Sequence, residues 1–144
     1  AEFARVVRPG GTVAAYVWDY ADGMALMRHF WDAAAELDPL AAELDEAVRF
    51  SICAPTPLGT LWADAGLRSV TVRPIEVPTD FADFDDYWRP FLGGQGAAPA
   101  YLMALPAPHR DALRDLLASR VPAAPDGAIR LTARAWAVRG TVPA

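Results

Sequence analysis

The pattern of apolar and polar positions predicts a mixed α/β fold. Residues 12–18 form an uninterrupted apolar run, and a strand that is apolar on both faces is typical of a parallel sheet covered by helices on both sides. Apolar side chains then recur at helical spacing over residues 23–37, with Asp22 as the expected N-cap. Thr56 and Pro57 predict the N-cap and first turn of a later helix.

Two further strands are expected in the second half of the chain. The first covers residues 67–77, but its apolar residues change parity around Pro74. Because proline cannot donate to a ladder, this strand is predicted to lie at the edge of the sheet or to contain a bulge. The last strand, residues 129–138, alternates, with Ile129 and every second residue up to Ala137 expected on one face.

The segment between these two strands is predicted to be largely helical. Aromatic residues lie close to one face of a helix over residues 81–92. A glycine-rich loop is expected over residues 93–99, and a further helix over about 106–120.

Composition narrows the class of protein. The chain has 144 residues, of which 53% are hydrophobic and 22% charged, which favours one folded domain with a core over disorder. Its formal net charge of −5 argues against nucleic-acid binding. With Cys53 as the only cysteine no internal disulfide can form, so a cytoplasmic location is expected. No apolar run approaches the roughly 20 residues that a membrane span needs, so no membrane association is expected.

The best functional candidates follow the first strand directly. Ligands of open α/β sheets bind beyond the carboxyl ends of strands, where Trp18, Asp19 and Tyr20 stand. Asp19 is a candidate acceptor for a proton or hydrogen bond, and its neighbours are candidate walls for an apolar substrate; alternatively, Asp19 only begins a turn. His29 and His109 have no partners at metal-ligand spacing, so no metal site is predicted.

Several segments, taken in order, resemble the C-terminal half of class I S-adenosylmethionine-dependent methyltransferases, of the type 11-like group that acts on small molecules. The resemblance covers nearly the whole chain. It rests on the stop Arg8-Pro9-Gly10-Gly11 before a strand, Ala65-Gly66-Leu67 before another, the aromatic segment Phe84 to Trp88 followed by Phe91 to Gly96, and the final strand.

The resemblance implies part of a Rossmann-like fold. Residues 1–144 would form a single α/β domain that lacks the N-terminal cofactor-binding half, with about three strands in the spatial order first, last, middle and the last strand antiparallel. An α-helical insertion over about residues 80–125 would form a lid on the acceptor site. Its substrate-binding candidates are Tyr87, Trp88, Phe91 and Gln95. The alternative is an ordinary apolar stripe packed on the sheet.

The cofactor that the resemblance implies is S-adenosylmethionine, yet its main binding motifs are missing. No Gly-x-Gly pattern follows a strand, and the glycines at residues 93–96 follow an aromatic helix. The expected function is therefore the substrate-side half of a methyltransferase for an unknown small molecule, inactive on its own. The alternative is a non-enzymatic α+β module that binds an apolar ligand or a partner chain through an aromatic groove. Self-association is expected through the exposed edge of the first strand or through the sheet face.

Overall fold

The computed structural model describes residues 2–144 and contains a three-stranded sheet with helices on both faces. The strands are β1 (Thr12–Trp18), β2 (Arg68–Phe81) and β3 (Ile129–Thr141). Their order is β1-β3-β2, and β3 is antiparallel to both neighbours. The spatial order first, last, middle matches the expected one, and β2 lies at an edge as its proline predicts.

Strand β1 is not the buried strand of a parallel sheet that its apolar run predicts. It pairs antiparallel with β3 alone, and most of its residues are exposed. Tyr16 is 71% and Trp18 40% exposed, whereas Val13 is buried. An apolar run indicates a strand, but the helices that cover the sheet decide which of its faces is buried.

The helices of the described chain are short, apart from two of 13 and 14 residues. Helix α2 begins two residues later than predicted, and Asp22 does not cap it: the N-cap is Met24, without a side-chain hydrogen bond. The helices are α1 (Glu2–Val6), α2 (Ala25–Leu37), α3 (Glu46–Arg49), α4 (Pro55–Asp64), α5 (Phe84–Trp88), α6 (Ala97–Ala104) and α7 (Ala107–Arg120), with 3-10 turns at Pro39–Leu44 and Arg89–Gly93.

The largest differences from the sequence prediction fall between residues 78 and 104. Strand β2 continues to Phe81, because β3 supplies a partner for each residue up to the pair Phe81 and Ile129. The single helix predicted over residues 81–92 is instead α5 followed by a 3-10 turn that has a proline in its first turn. Helix α6 takes up the last three residues of the predicted loop and continues to Ala104, with Gly96 as its N-cap.

Two separate cores lie on opposite faces of the sheet, at opposite ends of β3. The first core packs α2 and α5–α7 against Ile129 and Leu131. The second packs α4 against Val13 and Val138. Burial on β3 therefore changes parity after Ala135, and the prediction of one apolar face from Ile129 to Ala137 is wrong beyond that residue. In β2 the parity change separates Val70 and Val72, which pack against the second core, from Ile75 and Val77, which are exposed on the opposite face of the sheet.

Candidate functional site

The turn after β1 is held together by the buried carboxylate of Asp19, which is 3% exposed. Its Oδ2 accepts a hydrogen bond from Arg134 Nε at 2.7 Å, and its Oδ1 accepts one from the Asp22 N–H at 3.2 Å. Its backbone carbonyl accepts from the N–H groups of Gly23 and Met24 at 3.1 and 3.0 Å. Both oxygens of the carboxylate are thus engaged within the protein. This geometry favours the role of Asp19 in the turn, and a role as proton acceptor stays a prediction.

The same turn packs directly on β3. The Arg134 N–H donates to the Gly23 carbonyl at 2.8 Å. A Cβ on Gly23 would lie 2.5 Å from the Arg134 Cβ, so only glycine permits this close approach. The guanidinium of Arg134 lies 5.1 Å from the centre of the Trp136 ring and 3.7 Å from Glu76 Oε1. The ion pair therefore ties the carboxyl end of β1 to the middle of β3.

Tyr20 lies in a small cluster with residues that follow α2. Its ring centre is 5.9 Å from that of Phe50. Burial, followed by the charge of Glu46, raises the pKa of the Tyr20 phenol. Burial also raises the pKa of the Cys53 thiol, with a smaller contribution from Asp19. A raised pKa disfavours the thiolate, so we assign Cys53 as a small apolar residue and not as an activated nucleophile.

Two buried acids fasten this cluster to α2. Asp45 accepts a hydrogen bond from Arg28 at 2.5 Å, and Glu46 accepts one from the Trp31 indole N–H at 2.6 Å. Asp45 also caps α3 through the Ala47 N–H. The segment that carries Phe50 and Cys53 is therefore positioned by polar contacts within the protein.

Trp18 and Asp19 point to opposite faces of the sheet, because successive side chains of a strand alternate between faces. Tyr20 lies beyond the end of β1, in the cluster with Phe50. Trp18 lies on a part of the sheet that no helix covers, beside Tyr16, Ile75 and Val77. A broad concavity of about 830 Å³ continues from there towards Arg73 and Arg139. We call this surface the open face; its residues are Ala14, Tyr16, Trp18, Thr71, Arg73, Ile75, Val77, Ala135, Ala137 and Arg139.

The aromatic candidates of the insertion lie inside the first core. Tyr87, Trp88 and Phe91 are 0%, 7% and 1% exposed. The Tyr87 hydroxyl donates to the Leu26 carbonyl at 3.2 Å, and burial raises the pKa of Tyr87 strongly. The Phe91 ring stacks on Phe30 with centres 4.6 Å apart. This placement favours the alternative of an apolar stripe, although its contacts reach α2 and not only the sheet.

The structure does not bring the predicted site residues together into one pocket. Gln95 is exposed in the short connection before α6. The sequence analysis missed Arg134 as the partner of Asp19, and it missed the exposed arginines of the open face. In the sheet Trp18 pairs with Ala135, which puts Arg134 next to the turn after β1. The apolar periodicity of a sequence predicts strands but not how two strands are aligned, so this contact could not be predicted.

The arrangement of the described residues also bears on metal and cofactor binding. Within residues 2–144, no group of three or more His, Cys, Asp or Glu side chains is arranged to hold a metal ion. The glycines at residues 93–96 lie between a 3-10 turn and α6. A glycine-rich loop that binds the nucleoside of S-adenosylmethionine would instead connect a strand to a helix. This segment therefore does not match the glycine-rich motif expected for that cofactor. No helix in this part of the chain is long and apolar enough to cross a membrane.

No model of a known protein family matches the chain, and no curated protein matches it significantly. Inferences about function therefore depend on the motifs, on the topology and on the site geometry described above.

Proposed function

We propose that this chain is the substrate-side half of an S-adenosylmethionine-dependent methyltransferase that acts on a small molecule, and that it is inactive alone. One observation carries the proposal: the strand order is β1-β3-β2, and β3 is antiparallel to both neighbours. The resemblance implies this order, with a helical insertion before the last strand, and α5–α7 stand at that position. The topology supports the Rossmann-like assignment because a simple meander of three strands would put β2 in the centre.

Under this proposal the acceptor binds near the carboxyl end of β1, against the exposed ring of Trp18. Asp19 acts as a positioning residue, because its ion pair with Arg134 holds the turn that follows Trp18 and carries Tyr20. Tyr87 and Phe91 act at a distance, by fixing the insertion on α2. The methyl donor would be held by elements other than those described here, and no chemical step is assigned to it.

A second candidate function, a non-enzymatic binding module, is favoured by the open face. Tyr16 and Trp18 remain exposed there although both are large and apolar. The aromatic groove expected from the sequence would then be this face, because the aromatic residues of the insertion are buried. Such a module would bind an apolar ligand or a partner chain without catalysis.

The decisive experiment is to sequence the coding region upstream of Ala1 and to express the continuous product. We expect a strand followed by Gly-x-Gly, and micromolar binding of S-adenosylmethionine in calorimetry. The 144-residue chain, measured in parallel, should show no binding. A continuous product that lacks this loop and does not bind the cofactor would favour the binding module, and tight binding by the chain alone would contradict the division into halves.

A further inference from the structure

A second concave site lies between α2, α6 and α7, and it belongs to neither the turn after β1 nor the open face. Its volume is about 400 Å³, within the range of pockets that hold small organic molecules. The cleft adjoins the C-terminal end of helix α2. This helix has 13 residues and is therefore about 20 Å long. We call the site the α2–α7 cleft; its apolar walls are Ala34, Leu37, Leu105, Pro106, Ala112 and Leu113.

Three polar side chains converge on this cleft: Asp38, Tyr101 and His109. Asp38 Oδ1 accepts a hydrogen bond from the Leu40 N–H at 3.0 Å, and Oδ2 lies 3.5 Å from the Tyr101 hydroxyl. Burial, followed by the charge of Asp38, raises the pKa of Tyr101, so the phenol stays neutral.

The charge of Asp38 is not balanced by a neighbouring cation. Between the same two helices, Arg120 of α7 pairs with Glu36 of α2 and not with Asp38. Among residues 2–144 no Arg or His nitrogen lies within ion-pair distance of Asp38. The cleft therefore combines apolar walls, His109 and one carboxylate that has no ion-pair partner among the described residues, in a chain whose net charge is −5.

We propose that the α2–α7 cleft binds a small organic amine, with its ammonium group on Asp38 and its apolar body against the walls. An ammonium donates charge-assisted hydrogen bonds to the free lone pairs of Oδ2. The Tyr101 hydroxyl, 3.5 Å from Oδ2, can accept a further hydrogen bond from an ammonium bound at Asp38. A carboxylate ligand of the same shape is repelled by Asp38. This site is distinct from the proposed methyl-acceptor site and does not depend on the proposed function.

Isothermal titration calorimetry of the 144-residue chain tests the proposal with phenethylamine as the probe. The matched ligands 2-phenylethanol and 3-phenylpropionate have the same ring with a neutral and an anionic end. We expect phenethylamine to bind at least about tenfold more tightly than either, because a charge-assisted hydrogen bond contributes about that factor. Asp38→Asn should weaken phenethylamine binding about tenfold. Asparagine still accepts from the Leu40 N–H, so this variant retains the cap and should fold.

Two further variants separate the cleft from other acidic surfaces. Asp32→Asn removes an exposed carboxylate from α2 that does not line the cleft, and it should leave the affinity unchanged. Ala112→Trp places a ring in the cleft from an exposed position on α7 and should abolish binding. The proposal is overturned by an absence of phenethylamine binding, by equal binding of 3-phenylpropionate, or by an affinity that neither Asp38→Asn nor Ala112→Trp lowers.

Discussion

Replacing Arg134 by Met should destabilise the protein more than replacing Asp19 by Asn, although each substitution removes the same ion pair. The two side chains differ in burial: that of Asp19 is 4% exposed and that of Arg134 is 27% exposed. In Arg134→Met the carboxylate stays buried and keeps only the weak 3.2 Å contact from the Asp22 N–H. In Asp19→Asn the guanidinium can turn towards water and Glu76, and the amide oxygen still accepts from Asp22.

The expected magnitudes follow from this asymmetry. Leaving a buried charge without its partner costs about 3 kcal/mol or more, so Arg134→Met should lower the free energy of unfolding by about 3 kcal/mol. Losing one charge-assisted hydrogen bond while both groups remain solvated or bonded costs about 1.5 kcal/mol, which is the value expected for Asp19→Asn. The double variant should cost less than the sum, because it does not leave a buried charge unpaired.

Urea unfolding, followed by circular dichroism, measures these differences as shifts of the midpoint at constant slope. Asp85→Asn is the matched control, since Asp85 is 75% exposed in its pair with Arg114 and should change stability by less than about 0.5 kcal/mol. Equal effects of Arg134→Met and Asp19→Asn, or effects no larger than that of the control, would refute the argument that the buried carboxylate dominates this contact.

Three other outcomes are expected. If the chain self-associates through the edge of β1 or through the open face, Tyr16→Lys should weaken the association and sediment as a smaller species than the parent chain. Identical sedimentation of the two proteins at high concentration would count against both surfaces. Phe30→Ala should lower the free energy of unfolding by about 3–5 kcal/mol, because Phe30 is fully buried, while Phe3→Ala at an exposed position should have little effect in the same urea assay. Iodoacetamide should alkylate Cys53 more slowly than free cysteine at neutral pH, because a raised pKa leaves less thiolate, and the rate should increase as the pH rises towards that pKa; a rate above that of free cysteine would contradict the assignment.

Sequence reasoning was most successful where one local signal dominates. The helix predicted over residues 106–120 is α7, because its leucines recur at helical spacing and Pro106 stands before its first turn. It was least successful over residues 78–104, where β2 continues to Phe81 only because β3 offers a partner. For the candidate site, the analysis identified the segment that ends β1 but not the contacts of Asp19, because Arg134 is 115 residues away in the chain.

The sequence by itself determined the three strands, the long helices and the edge position that Pro74 requires in β2; the spatial order of the strands was implied by the resemblance. The tertiary structure alone decided which side chains are buried. Helices cover one face at the Ile129 end of β3 and the other face at the Val138 end. Because side chains alternate between faces while this cover changes sides, apolar residues of the same strand can lie in a core or on the open face. Trp18 is exposed and Asp19 buried for that reason.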